Sequence, residues 1–335
     1  MEPVLLTTRS AERFSMRVAQ HLSLSYSVAE TRKFDDGEIK SRALTNVQGR
    51  DVYLFQDLFA DTRASIHDKL FELFILASAV KDAGASRVVL IAPYLCYARQ
   101  DRRTEPGGAI TSRYLANLIE SSGVDQVIAM DVHNPSAFEN AFRIPTTHLS
   151  ACNVFVNELA DVLNDLDGLK PLTVLAPDIG GTRRCEAFRE ALERKGRKNV
   201  ELAYVIKRRR DTVLTEETVL GHLQGRTVIL LDDMISTGGT VAHAVNACWK
   251  RGAGEIIVIA SHGLFVGKAE QTLADLRLKQ IMVTNSVASR AVEIGPIASL
   301  TKVVDVSVLF ANEIRRLEAL KAGKVQRQVP AEPVQ

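Results

Sequence analysis

Cysteine is scarce and unpaired in this 335-residue sequence: Cys96, Cys152, Cys185 and Cys248 are scattered without a CxxC or CxxxC motif. That spacing fits reduced structural thiols in a cytosolic protein better than a disulfide frame or a zinc site. Proline and glycine are too sparse, at 10 and 20 residues, for a fibrous or low-complexity chain, while 46% hydrophobic and 24% charged residues describe a globular one. No sign of charge dominates. Lys plus Arg (42) exceeds Asp plus Glu (40) by two, so no global field draws the chain to nucleic acid or an anionic membrane, and charge-based chemistry has to be local. Long apolar runs are missing as well. The longest uncharged one, Ile256 to Gly267, contains Ser, His and Gly and falls short of the ~18 to 20 residues of a membrane-spanning helix. The N-terminus carries Glu2 and a short apolar stretch, Pro3 to Leu6, unlike the basic start and apolar core of a signal peptide. The expectation is a cytoplasmic protein with no cleaved leader and no nucleic-acid or membrane partner.

What the sequence does contain is a series of short β-branched runs: 52–55, 87–93, 125–131, 172–177, 203–206, 227–233, 255–261, 280–284 and 302–307. The intervals between them leave room for one helix each, as in Ile66 to Ala83, where apolar residues recur at steps of three and four, and in Val241 to Arg251. Strands apolar on both faces that alternate with helices predict an α/β fold of mostly parallel sheets covered by helices. At roughly 150 residues per domain the length predicts two domains. A break at 146–152 divides the strands into two similar sets, 1–148 and 149–300. The last strand and the helix after it, 301–318, are candidates for crossing back onto the first half. From Lys321 the chain loses aromatic residues and turns polar, so 321–335 is expected to be a disordered tail.

The most informative segment is TVILLDDMISTGGT, residues 227–240. An apolar strand delivers Asp232 and Asp233 at its carboxyl end, and Ser236, Thr237, Gly238, Gly239 and Thr240 then lead into a helix. Ligands of open parallel sheets bind at the carboxyl ends of strands, and glycines at a helix start expose backbone N–H groups to phosphate. The paired carboxylates suit sugar hydroxyls or magnesium, and the three hydroxyls suit the same phosphate. Capping of the helix by Thr240 would explain one threonine but not the acids, the remaining hydroxyls and both glycines. Neither a GxxxxGKS loop nor a GxGxxG after a strand occurs, which argues against a P-loop or a dinucleotide site.

An acidic pair followed by a Ser/Thr-Gly-Gly-Thr loop resembles the phosphoribosyl pyrophosphate motif of phosphoribosyltransferases and ribose-phosphate pyrophosphokinases. KFDDGEIKSR (33–42), YARQDRR (97–103), DVH (131–133), APDIGGTRR (176–184), IKRRR (206–210) and SHGLF (261–265) resemble the pyrophosphokinase pattern in order and near-family spacing, over about residues 1–318. The resemblance implies two similar domains of the type I phosphoribosyltransferase kind. It also implies an enzyme that transfers the diphosphoryl group of ATP to the 1-hydroxyl of ribose 5-phosphate, in the service of nucleotide biosynthesis. Phe34, Asp36, Gly37 and Glu38 would then reach the ATP site of a neighbouring subunit, an aromatic ring and carboxylates being suited to an adenine. Arg99 and Gln100 would face the polyphosphate, and Arg102 and Arg103 read equally well as surface charge. His133 and Asp178 would hold hydrated magnesium, the implied cofactor. Lys207 and Arg209 would be the catalytic pair, Arg209 also facing ribose 5-phosphate, with DTVLTEET (211–218) reading as a mobile loop. A homo-oligomer, a hexamer built from dimers, is implied too.

Three departures from the family pattern stand out. Ser236 replaces the loop's usual acid, NPSAFENAF follows DVH with apparently one extra residue, and Arg143 and Thr147 stand where many members carry acids. They put phosphate activation and ADP inhibition in doubt. Two rival readings use the same loop: a phosphoribosyltransferase, which would not need 34–38 and 99–100, and a non-catalytic regulatory homologue, which would be expected to lose Lys207, Arg209, His133, Asp232 or Asp233.

Overall fold

The computed structural model describes residues 1–164, 171–210 and 213–323. Its strands are β1 (Val4–Thr7), β2 (Tyr26–Val28), β3 (Glu30–Lys33), β4 (Ile39–Arg42), β5 (Asp51–Phe55), β6 (Arg87–Ala92), β7 (Gln126–Met130), β8 (Thr146–Leu149), β9 (Leu172–Ala176), β10 (Glu201–Arg210), β11 (Val213–Leu220), β12 (Thr227–Ile235), β13 (Glu255–Gly263), β14 (Gln280–Thr284) and β15 (Thr301–Val304). The helices are α1 (Glu12–Leu22), α2 (Ile66–Asp82), α3 (Thr111–Ser121), α4 (Pro135–Ala141), α5 (Cys152–Asn164), α6 (Thr182–Arg194), α7 (Gly239–Lys250), α8 (Ala269–Ala274) and α9 (Ser307–Lys321).

Two sheets carry the chain. The first, in the order β2-β1-β5-β6-β7-β8, is parallel throughout. The second, β11-β10-β9-β12-β13-β14-β15, is parallel except for the β10–β11 hairpin at its edge. All nine apolar runs read from the sequence form strands of these sheets. Central strands such as β5, β7 and β9 are buried along their whole length because helices cover both faces. Local signals place the helices. At the start of α2, for example, Ser65 and Asp68 form a reciprocal capping box.

At the break read at 146–152, Thr146–Leu149 completes the first sheet as β8, and α5 begins directly after it at Cys152. Other readings of the sequence need correction. The strand near residue 302 does not cross back, because β15 pairs with β14 in the second sheet. Only α9 returns. It packs on α1 with the Phe14 and Phe310 rings edge to face at 5.2 Å, and its far end is fastened to the first sheet by Tyr53 Oη donating to Glu318 (2.6 Å) and Lys321 Nζ donating to Asp51 (2.6 Å). The segment expected to be a mobile loop forms β11 over Val213–Leu220, antiparallel to a longer β10. The disordered tail expected from 321 starts too early, because Lys321 is the last residue of α9; from 324 onward it lies outside the described residues.

One hydrophobic cluster runs through both halves, joining Phe55, Ile91 and Met130 of the first sheet to Phe155, Phe188, Ile229, Ile259 and Phe310. At about 1.5–3 kcal/mol for each fully buried large apolar side chain, this shared core holds the two sheets in register. Among the described residues no helix is long and apolar enough to cross a membrane.

Candidate active site

The carboxyl ends of β7, β9 and β12 meet where the two halves join. On its β9 side β12 is paired only as far as Leu230, while on its β13 side it is paired through Ile235. Asp232 and Asp233 therefore lie on the stretch of strand that has outrun one neighbour. Asp233 is buried, and its Oδ2 bonds His133 Nδ1 at 2.8 Å. Its backbone N–H donates to Asp232 Oδ1 at 2.9 Å. Arg184, from the first turn of α6, places Nη1 3.5 Å from Oδ1 of both aspartates. The structure thus brings His133, Asp232 and Asp233 together across the halves and adds a cation to which the sequence reading gave no role.

These groups polarise one another. Burial, reinforced by the charge on Asp233, holds the Asp232 carboxyl well above the usual range. Burial works in the same direction at Asp233, but the His133 hydrogen bond and the Arg184 guanidinium outweigh it and hold that carboxyl well below the range. The same bond raises the pKa of His133, against partial burial. The shared surroundings therefore push the two carboxyls in opposite directions, Asp232 toward its protonated form and Asp233 toward its ionised one.

Beyond β12 the chain turns through Ser236 and Thr237 into α7. The helix cap is Gly238, at φ +79°, and no side chain caps the helix start. Thr240 stands inside the first turn rather than at the cap, so the capping explanation for it falls. The turn is held from behind by the end of SHGLF: Leu264 and Phe265 donate N–H to Ile235 O, and Val266 donates to Ser236 O. Backbone donors without a capping side chain, flanked by hydroxyls, suit a phosphate. A methyl group on Gly238 would meet Leu273 Cγ at 3.4 Å and Ala269 Cα at 3.6 Å in a left-handed backbone. Gly238→Ala is therefore expected to cost roughly 1–2 kcal/mol of stability, read as a lower urea midpoint at unchanged slope.

On the first half, Arg99 and Gln100 are exposed on the loop after β6. Gln100 is fixed by Thr111 Oγ1 donating to its Oε1 (2.6 Å), and Asp101 accepts from Asn134 Nδ2 (2.8 Å), which ties this loop to the one carrying His133. Tyr94, edge-on to His262 at 5.0 Å, lies between the loops, with its hydroxyl pKa pushed by burial up to about 12. Phe34, Asp36, Gly37 and Glu38 form the tip of the exposed β3–β4 hairpin, where Gly37 takes φ +95° and Phe34 is 38% exposed beneath the Arg32 guanidinium. Among the described residues no hydrogen bond, ion pair or ring contact joins this tip to the rest of the site.

Asp178 does not join His133. It is exposed, and its Oδ1 accepts from Gly181 N at 3.2 Å as the cap of a short 3-10 turn. Among the described residues no three His, Cys, Asp or Glu side chains gather into a metal-binding group. Lys207 and Arg209 lie on β10, and their side chains are outside what is described. Of the departures from the family pattern, Thr147 Oγ1 donates to Glu313 of α9 (3.1 Å) and Arg143 N donates to Glu120, while NPSAFENA forms α4 behind an Asn134 cap.

Residues 3–123 match the profile of the N-terminal domain of ribose phosphate pyrophosphokinase, and residues 191–323 match that of the phosphoribosyl synthetase-associated domain. A ribose-phosphate pyrophosphokinase of Neisseria meningitidis serogroup A is 33% identical over 316 residues, 94% of this chain and 91% of that protein. The chain belongs to the ribose-phosphate pyrophosphokinase family. The family member of Helicobacter hepaticus is 36% identical over 305 residues, 91% of this chain and 92% of that protein. The crystal structure of phosphoribosylpyrophosphate synthetase from Mycobacterium smegmatis matches with a TM-score of 0.84 at 29% identity, covering 96% of this chain and all of that one.

Proposed function

We propose that the chain transfers the β,γ-diphosphoryl group of ATP to the 1-hydroxyl of ribose 5-phosphate, yielding phosphoribosyl pyrophosphate and AMP. The observation that carries the reading is the His133–Asp233 hydrogen bond across the halves. It joins the loops suited to a nucleotide polyphosphate to the acidic pair and helix start suited to a phosphorylated sugar. The 5-phosphate is bound by Ser236 to Thr240 on the N-terminal amides of α7. Asp232 and Asp233 bind the ribose hydroxyls, and this orients the 1-oxygen for in-line attack on the β-phosphorus. Arg99 and Gln100 bind the polyphosphate, and Lys207 and Arg209 neutralise charge that develops as AMP departs.

His133 and Asp178 stand apart, so each would hold hydrated magnesium on its own rather than share one ion. Each has one polar atom engaged, on Asp233 and on Gly181 respectively, and one left over, and such an ion takes few protein ligands beside phosphate oxygens. When bound it supplies charge neutralisation on the phosphates. The exposed hairpin tip with Phe34 supports a homo-oligomer in which the tip completes the ATP site of a neighbouring subunit.

The test is AMP formation from ATP and magnesium, with and without ribose 5-phosphate and with and without inorganic phosphate. AMP release that requires ribose 5-phosphate is expected. Indifference to inorganic phosphate is expected as well, since Arg143 and Thr147 replace acids. No AMP under any condition, despite measurable ATP binding, would turn the reading to a regulatory homologue and make Ser236 the first position to revert.

A further inference from the structure

Nothing in the mechanism above uses the histidine of SHGLF, residues 261–265. His262 is 1% exposed, near the end of β13. Its Nε2 lies 3.0 Å from Met130 O, and its Nδ1 lies 2.8 Å from Ser286 Oγ. A carbonyl oxygen only accepts, so Nε2 carries the proton and Nδ1 accepts from the serine hydroxyl. Burial pushes the imidazole pKa down despite the nearby Asp131 and Asp233, so the ring is neutral with both nitrogens satisfied.

A buried, satisfied histidine is most often only a piece of core. This one differs in what its two bonds connect. Met130 is the last residue of β7 in the first sheet, whereas Ser286 follows β14 in the second. Directly after Met130 the backbone turns sharply, with Asp131 at φ +38°. That turn is fastened on both sides. The Asp131 carboxylate accepts from Ser261 Oγ, the neighbour of His262, and from Ala151 N (3.0 Å), while Val132 N donates to His148 Nε2 (3.2 Å). The next residue is His133, on Asp233. From the other side, the β12–β13 ladder pairs Met234 with His262, so Asp233 is one residue from the position opposite the same ring. Tyr94 closes over the ring with its edge.

We infer that His262 is a positioning residue: by tying the exit of β7 to β13 and to the loop after β14, it sets His133 against Asp233. Both partners of the bond that joins the halves are referenced to a single imidazole, one along the chain and one across the ladder. A displacement of about 1 Å at such a position is enough to cost about a hundredfold in rate, which makes a rigid reference functional rather than merely stabilising.

The test compares His262→Leu, which removes both bonds, with His262→Gln, whose amide can still donate to Met130 O. Two readouts are followed in the full-length protein. AMP formation in His262→Leu is expected to lose about 50-fold in kcat with KM for both substrates nearly unchanged, and His262→Gln is expected to recover most of the loss. This arm rests on the diphosphoryl transfer proposed above. The second arm does not: the His133 ring resonances, followed by NMR at fixed pH in selectively labelled protein without substrates, are expected to leave the position set by the Asp233 hydrogen bond in His262→Leu and to keep it in His262→Gln. A wild type that makes no AMP would overturn the proposed reaction and leave the second arm to decide the inference. Should His262→Leu fail to fold, Ser286→Ala removes the Nδ1 partner, together with that hydroxyl's bonds to Thr284 and Ser261, and is expected to move the His133 resonances part of the way. His133 resonances indifferent to the changes at 262 and 286 in folded protein would overturn the inference.

Discussion

Turnover of a Lys207→Ala variant is expected to fall about a thousandfold while ATP binding survives. β10 pairs with β9 only as far as Tyr204, so the segment that carries Lys207 and Arg209 continues past the body of the sheet and is paired on β11 alone. The ladder shifts register between Arg208 and Arg209, and such a bulge bends a strand and re-aims what it carries. A cationic strand end at the carboxyl edge of the sheet stands where the β12 acids and the loop into α7 emerge. Removing one donor aimed at developing charge typically costs about 10²- to 10³-fold, and removing a cation from a phosphoryl-transfer site about 10³- to 10⁵-fold. The charge that Lys207 is proposed to answer would appear only as the β-phosphorus parts from AMP, so the loss is expected in kcat rather than in affinity. Single-turnover AMP formation beside a calorimetric ATP titration separates the two. A near-normal rate would remove Lys207 from the role. Arg209→Ala is expected to raise KM for ribose 5-phosphate as well, because it was also assigned to that substrate.

The strands legible in the sequence share one physical condition. The runs that became β5, β6, β7, β9, β12, β13 and β14 sit between helices and are apolar on both faces, and a residue pattern records that kind of burial directly. Apart from the buried Val4–Thr7 at the start of the chain, the strands that escaped notice lack it. Glu30–Lys33 is exposed throughout, Thr146–Leu149 is half-buried at a sheet edge, and the polar VLTEETVL is a strand because β10 offers it a ladder. The same division holds at the site. Asp232, Asp233 and His133 announce themselves because polar residues that end an apolar strand are exceptional. Arg184 does not, since its reach to both aspartates depends on how α6 is set against β12. Asp178 was recognised as a polar strand end, but a sequence cannot show that one of its oxygens is spent on Gly181. His262 finds partners 132 and 24 residues away, and no local pattern encodes either distance.

Asp233→Asn is expected to lower kcat/KM for ribose 5-phosphate about 10²- to 10³-fold and to return the His133 pKa toward its ordinary value. The carboxylate accepts from His133 and lies against Arg184. The proposed ribose hydroxyl would be a further donor to it. Hydrogen bonds to charged groups contribute roughly 1.5–3 kcal/mol each, and because the amide keeps one acceptor oxygen the expected loss lies at the low end for two such bonds. An isosteric amide keeps the shape of the site, so the loss reports charge rather than packing. The pH dependence carries the sign. His133 has a raised pKa in the folded protein, so its contribution to stability is complete below the ordinary imidazole value and is lost as pH rises through the raised one. Asp233 is depressed, and its contribution is present above the ordinary carboxylate value and is lost as pH falls through the depressed one. Between those limits both groups are charged and the two halves are bonded most firmly. Urea midpoints measured from acid to neutral pH should therefore show a component in the wild type that is missing from Asp233→Asn. If His133 titrates identically in the two proteins, the bond across the halves is not what holds it, and the proposed joining of the nucleotide and sugar sides loses its support.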